Sequence, residues 1–199
     1  NDTAAIGVDL PWRLTDRSQQ SSPGLSMAMF TLLELAATRF TATGLERLLA
    51  NPALQGQQGL TAEEAVLITQ TLQRSGFRWG LDARERGGDE VHSLRWCLDR
   101  WLLGLVLPVE PGLAPAGVAP FQQELDPDRL VRWWTLLDRL ARMLDRLRQP
   151  RPCHGWVQVL QSLLQELFAG GGAWADEAQS WAAALEEWRL RAHDCPLDL

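Results

Sequence analysis

Three cysteines and three histidines are the side chains of this 199-residue chain that could bind a metal or act as nucleophile and base. They are Cys97, Cys153 and Cys195 with His92, His154 and His193. Structural zinc takes its ligands from tightly spaced pairs, whereas Cys153-His154 and His193-x-Cys195 lie roughly 40 residues apart and each adjoins a proline. The spacing therefore favours packing or surface positions over a zinc site or a catalytic Cys–His pair. An odd number of well-separated cysteines without a CxxC also fits a reducing compartment rather than a disulfide framework.

Nuclease chemistry would need paired carboxylates on strands beside a basic residue. Asp82, Glu85, Asp89 and Glu90 do cluster, but in a Gly- and Arg-rich turn that reads as a solvated connection. Nucleotide chemistry fares no better. No GxxxxGK[ST] occurs and the chain has no lysine, so no P-loop exists in this sequence. Gly170-Gly171-Gly172 has no preceding strand and reads as a hinge.

All 19 basic residues are arginine. Arginine suits bidentate phosphate or carboxylate contacts and stacking, although genome base composition explains the bias equally well. A net charge of −6 and a pI near 5.1 lack the basic footprint of an autonomous nucleic-acid binder. Two arginine groups stand out locally. Arg132, Arg139, Arg142 and Arg146 fall within ~80° of one another on a helix, opposite an apolar stripe. They form either a face for phosphates or an acidic partner, or a solvated face in which Asp128→Arg132 and Asp138→Arg142 pair at i,i+4. Arg74, Arg78, Arg84, Arg86 and Arg95 surround Trp79 and Trp96, as single-strand binding or cation–π packing at a core edge would both require.

Helices must position these groups. Pro23–Thr38 has Leu25, Met29, Leu32, Leu33 and Ala36 on one face; Thr41 caps a helix to Leu49 that ends at Asn51-Pro52. Thr61-Ala-Glu-Glu64 is a capping box opening a helix that stops at Gly76. Val91–Val106 is expected to bury Leu94, Leu98, Trp101, Leu102 and Leu105. After the Pro/Gly/Ala-rich stretch 108–120, Asp126 caps a helix to Arg148, with Leu130, Trp133, Leu137, Leu140, Leu144 and Leu147 as its stripe. Pro150 and Pro152 stop it. Trp156–Phe168 and Ala175–Ala192 complete the set. Ile6–Thr15 is the one expected strand, and its sheet partners are expected to lie outside this sequence. The fold class is mainly α, an irregular multi-helix array with one short N-terminal strand. Its ten tryptophans are expected half-buried between helices with the indole N–H at an edge. No apolar run reaches the ~18 residues of a membrane span. The start shows neither a secretion signal nor an initiator Met, which gives a cytoplasmic expectation and suggests a segment of a longer or processed chain.

Several segments together resemble the RecC family, the gamma subunits of bacterial exodeoxyribonuclease V. They are LPWRLTDRS near the start, TRFTATGLERLLANPALQ (38–55), SGFRWGLD (75–82), HSLRWCLDRWLLGLVLP (92–108) and the 148–168 stretch. SGFRWGLD is similar to the family's SGIRWGLD almost residue for residue. The chain departs from the pattern at Cys97, Trp101 and Leu105, and the 108–120 loop lacks the family's acidic string. The resemblance implies a helicase-like protein with a decayed ATP site, acting beside RecB-like and RecD-like motor subunits on DNA. In it, the complex splits duplex DNA, and the RecC-type subunit scans the emerging 3′ strand for a recombination hotspot. Residues 1–21 would be the lead-in strand and linker of a second motor-like domain. Residues 22–199 would be a helical inserted subdomain, its two halves joined by the 108–120 loop. No catalytic residue, cofactor, metal, membrane or small-molecule substrate is implied for this segment. Gly80, Leu81, Asp82, Trp96, Leu98, Asp99 and Arg100 are expected as scaffold; Arg78, Trp79, Arg95 and the 132/139/142/146 arginines are the candidate DNA or partner contacts. An inserted subdomain of an active helicase–nuclease and a stand-alone helical adaptor are the alternatives.

Overall fold

The computed structural model describes residues 24–168 and 172–192. Within them the chain runs α1 (Leu25–Ala37), α2 (Ala42–Leu49), α3 (Pro52–Gln58), α4 (Ala62–Arg74), α5 (Leu94–Val106), α6 (Pro127–Leu147), α7 (Cys153–Phe168) and α8 (Ala175–Ala192). The protein is mainly α. No β-sheet is present among the described residues; Thr41 and Trp79 form an isolated antiparallel bridge. The strand expected over Ile6–Thr15 lies outside the described residues.

Helix starts follow local chemistry. Thr41 accepts from the N–H of Gly44, Thr61 and Glu64 complete a reciprocal capping box, and Asp126 accepts from the N–H of Arg129. Asn51 does more than end α2. Its side chain accepts from the N–H groups of Ala53 and Leu54, with Pro52 preset for the first turn, so it opens the short helix α3 that periodicity was too brief to signal. The α5 start is corrected from Val91 to Leu94: His92 has φ +71°, incompatible with a helix, and Ser93 caps from the N–H of Trp96. Helix α7 begins at Cys153 rather than Trp156, because the Pro152 carbonyl accepts the N–H of Trp156.

One helix start is capped from a distance. Gly24 has no side chain to offer α1, and Glu177 on α8 accepts the N–H of Ser26 at 2.8 Å instead. The Trp181 indole donates to the Ser26 hydroxyl at 3.1 Å, so α8 is fastened across the beginning of α1. Helix α1 packs against α2, α3, α6 and α8, while α5 lies on α6 and α3 on α7. One core results, reaching from Leu25 and Met29 through Phe40, Ile68 and Trp101 to Leu140, Leu164 and Leu185. Helices on both sides of the 108–120 stretch contribute to it.

The tryptophans divide. Trp101 and Trp133 are 0% and 1% exposed, and the indole N–H of each has no protein partner. This corrects the expectation of half-buried rings with the donor at an edge. It holds in outline for Trp79 and Trp96, which are half-buried. Leu102 and Leu105 are also corrected. They are 38% and 39% exposed, because α5 turns Leu94, Cys97, Leu98 and Trp101 to the core instead.

Candidate interaction site

The SGFRWGLD segment is a loop braced by its own backbone. Gly76 (φ +106°) and Gly80 (φ +87°) take left-handed conformations that side-chain-bearing residues avoid. The N–H of Arg78 donates to the His92 carbonyl, that of Gly80 to Phe40, and those of Leu94 and Arg95 to Gly80 and Leu81. The segment therefore crosses between the α2 start and the α5 start. Leu81 and Leu98 are in the core, Gly80 is buried, Trp96 is half-buried and Asp99 lies on the exposed side of α5.

Glu85 holds this crossing together. Its carboxylate accepts from Phe40 N–H at 2.6 Å, Leu81 N–H at 2.7 Å and Arg148 Nη1 at 2.9 Å. The reading of the 82–90 acids as a solvated connection is corrected at this position, where the side chain is 12% exposed. Arg148 then reaches the carbonyls of Leu35, Ala36 and Thr38, satisfying the otherwise open C-terminal end of α1. In the sequence Glu85 is one of an acidic cluster and Arg148 a helix end, with nothing to link them. The only available signal was their charge, which says nothing of distance. Asp82 lies below the ordinary carboxylate range: burial pushes it up, but the Arg84 guanidinium and the N–H groups of Glu85 and Arg84 outweigh that.

Around Trp79 the structure gathers arginines without carboxylate partners among the described residues. The guanidiniums of Arg39 and Arg86 lie over its ring at 4.7 and 4.5 Å, and Arg86 also donates to the Trp79 carbonyl. Arg78 is exposed and donates to the Phe77 carbonyl. Arg39 has no spacing signal of its own in the sequence, although it sits inside the TRFTATGLERLLANPALQ string. Beside it is a depression of about 390 Å³ lined by Thr38, Arg39, Thr41, Thr43, Glu34 and Arg47. Arg47 is paired with Glu34. Arg95 does not join this group. It pairs with Asp145 and Asp138 on α6. Arg100 stacks over Trp96 at 4.7 Å and Phe121 at 5.4 Å, donating to the carbonyls of Ser75 and Ala119.

The α6 arginines meet side chains of other helices. Arg132 contacts Glu64 at 3.2 Å, Arg139 Gln58 at 3.4 Å and Arg146 Glu166 at 3.3 Å. The i,i+4 pair Asp138–Arg142 forms at 2.8 Å, but the expected Asp128–Arg132 pair gives way to Glu64, whose carboxylate also lies 3.8 Å from Arg129. A guanidinium already facing a carboxylate has less field to offer a phosphate. Among the described residues, Arg139 on α6 faces only the Gln58 amide, whereas Arg39, Arg78 and Arg86 stand together at Trp79 without a facing carboxylate.

Thiol chemistry finds no support at Cys97. Burial pushes this thiol up to about 11, against the weaker pull of the Ser75 contact and nearby arginines, so it stays protonated near neutrality. His92 is occupied with the Gly76 carbonyl at 2.7 Å and the edge of Trp96. His193, Cys195 and the Cys153 side chain lie outside what is described.

These elements have counterparts in known proteins. Residues 22–199 match the family model described as RecBCD enzyme subunit RecC fourth domain. Relatives named RecBCD enzyme subunit RecC include those of Escherichia coli, 28% identical over 80% of this chain, and Mycolicibacterium smegmatis, 29% identical over 86%. That of Mycobacterium tuberculosis is 30% identical over 81%. The chain spans about 15% of the E. coli and M. tuberculosis proteins and 16% of the M. smegmatis protein. The motif loop, its flanking helices and the α6–α8 array all fall within the matched residues, and the chain belongs to the RecC family, in the region of its fourth domain.

Proposed function

We propose that this chain is a non-catalytic helical subdomain of a RecC-type subunit, working in the cytoplasm within a RecBCD-like helicase–nuclease complex. In this reading it supports DNA unwinding and hotspot-regulated repair of double-strand breaks, while RecB-like and RecD-like subunits supply ATP hydrolysis and strand cleavage. Residues 1–21 lead in from a motor-like domain, and 22–199 form the inserted helical subdomain. The observation that carries the proposal is the family match over 22–199. The chemistry is consistent with it: the buried thiol is protonated, and Glu85 is engaged in holding backbone.

The role at the DNA is assigned to Arg39, Arg78, Arg86 and Trp79. Free of carboxylate partners among the described residues, these guanidiniums can meet the phosphates of a strand passing the complex. Gly80, Leu81, Asp82, Trp96, Leu98, Asp99 and Arg100 act as scaffold for that patch.

The experiment is DNA binding by the assembled complex carrying Arg39→Ala and Arg86→Ala, measured across salt concentrations. Each lost phosphate contact should lower the salt slope by about 0.7 for a single strand. Arg132→Ala with Arg142→Ala should leave the slope unchanged. An unchanged slope in the first variant removes the DNA role of the patch. ATP turnover or strand cleavage by the isolated 199-residue chain would overturn the non-catalytic assignment.

A further inference from the structure

The patch at Trp79 is assembled from two stretches of chain that lie far apart in sequence. Arg39 comes from the turn between α1 and α2, while Trp79 and Arg86 belong to the loop ahead of α5. Arg86 is tied to its own loop by donating to the Trp79 carbonyl at 3.1 Å. Arg39 reaches the same indole, at 4.7 Å, only because the two stretches are held in register.

Two backbone contacts contribute to that register. Gly80 N–H donates to the Phe40 carbonyl at 2.7 Å, and Thr41 and Trp79 form their isolated bridge. A bridge without a flanking ladder is a weak join on its own. Glu85 supplies the rest, one oxygen for each stretch. Its Oε1 accepts at 2.6 Å from the N–H of Phe40, the residue that follows Arg39. Its Oε2 accepts at 2.7 Å from the N–H of Leu81, two residues beyond Trp79. Arg148, at the end of α6, donates to the same Oε2 at 2.9 Å and steadies the carboxylate.

The sign of the charge points to geometry as the reason for a carboxylate here. A negative group near guanidiniums weakens the field they offer a phosphate. An ionised carboxylate, however, presents two acceptor oxygens, whereas an amide has one and turns a donor toward the other N–H.

We infer that Glu85 is the positioning residue of the Trp79 patch: its two oxygens, on Phe40 and Leu81, keep Arg39 in register with Trp79 and Arg86 so that the guanidiniums meet a strand together. This rests on the reading of the patch as a DNA contact and names the residue through which that contact is built.

The test is single-strand binding by the assembled complex, measured across salt concentrations. Glu85→Gln removes a negative charge, which by charge alone would tighten binding to a polyanion. Positioning gives the reverse, weaker binding with the salt slope lowered by about 0.7, one phosphate contact. Glu85→Asp keeps the charge but is one methylene too short to span both N–H groups, and it should lower the slope equally. In a background of Arg39→Ala with Arg86→Ala, Glu85→Gln should change the slope no further, whereas a general loss of structure would weaken binding again. Unchanged or tighter binding in either single variant, or an additive loss in the combined one, overturns the inference. Should neither variant assemble, the wild-type complex decides: a bound oligonucleotide should slow amide exchange at Phe40 and Leu81, and unchanged exchange there overturns the inference. An unchanged slope for Arg39→Ala with Arg86→Ala removes the DNA reading of the patch itself. A lowered slope there beside an unchanged one for Glu85→Gln and Glu85→Asp removes the positioning role alone.

Discussion

Glu85 and Arg148, 63 positions apart in sequence, meet at 2.9 Å and join the motif loop to the end of α6. The pair does more than bring opposite charges together. The carboxylate holds two backbone N–H groups, and the guanidinium closes the last carbonyls of α1. Four segments thus depend on two side chains that are 12% and 22% exposed.

Glu85→Gln should therefore cost more than a surface pair. Removing the charge leaves Arg148 in a poorly solvated position, and a loss of about 2–4 kcal/mol is expected. Denaturant unfolding of the isolated domain gives the magnitude. Hydrogen exchange should show faster exchange at the Phe40 and Leu81 amides; unchanged protection there would remove the assigned role.

Gly104 is required by space rather than by backbone angle. A Cβ there would lie 2.1 Å from the Phe121 carbonyl oxygen and 2.6 Å from its carbon, both backbone atoms with little room to yield. Gly104→Ala, favoured by helix propensity by up to about 1 kcal/mol, should nevertheless destabilise the domain by about 1–3 kcal/mol. A raised melting temperature for this variant would contradict the close crossing of the 121–122 backbone over α5.

Trp101 combines full burial with an indole donor that has no protein partner. Trp101→Phe removes that donor and keeps much of the ring, so it should cost less than about 1.5 kcal/mol. Trp101→Ala should cost about 3–5 kcal/mol through the cavity it opens. Equal losses in the two variants would show that the N–H is satisfied.

Cys97 gives a pH signature. Its thiol rises from 9.0 to about 11 through burial, so the folded state retains a proton that the unfolded state has released between those values. The stability linked to this group is fully present below pH 9 and declines as pH rises toward 11. Wild type should lose stability more steeply than Cys97→Ala across that interval, and the native thiol should resist alkylation at pH 8. Equal slopes would place the thiol in contact with water.

Much of the scaffold was legible because it is local. The Thr61/Glu64 capping box, the Thr41 and Asp126 caps and the leucine stripe of α6 are all fixed by helix geometry within a few residues. The SGFRWGLD string was likewise enough to place the chain in its family. Short elements were less legible: α3 is 7 residues long, too few for a periodic pattern.

The sequence by itself determined the capped helix starts at Thr41, Thr61 and Asp126, the apolar stripe of α6 and the likeness to a family. Only the tertiary structure decided what each charge and each ring would meet. Arg132 could have paired with Asp128 four residues away, but tertiary packing brought Glu64, near the start of α4, to it from 68 positions off. The same packing left Leu102 and Leu105 outside and drew Glu85 inward. Local spacing fixes a residue's direction on its own helix; the angle at which two helices cross fixes its neighbours, and that angle is set by the whole core at once.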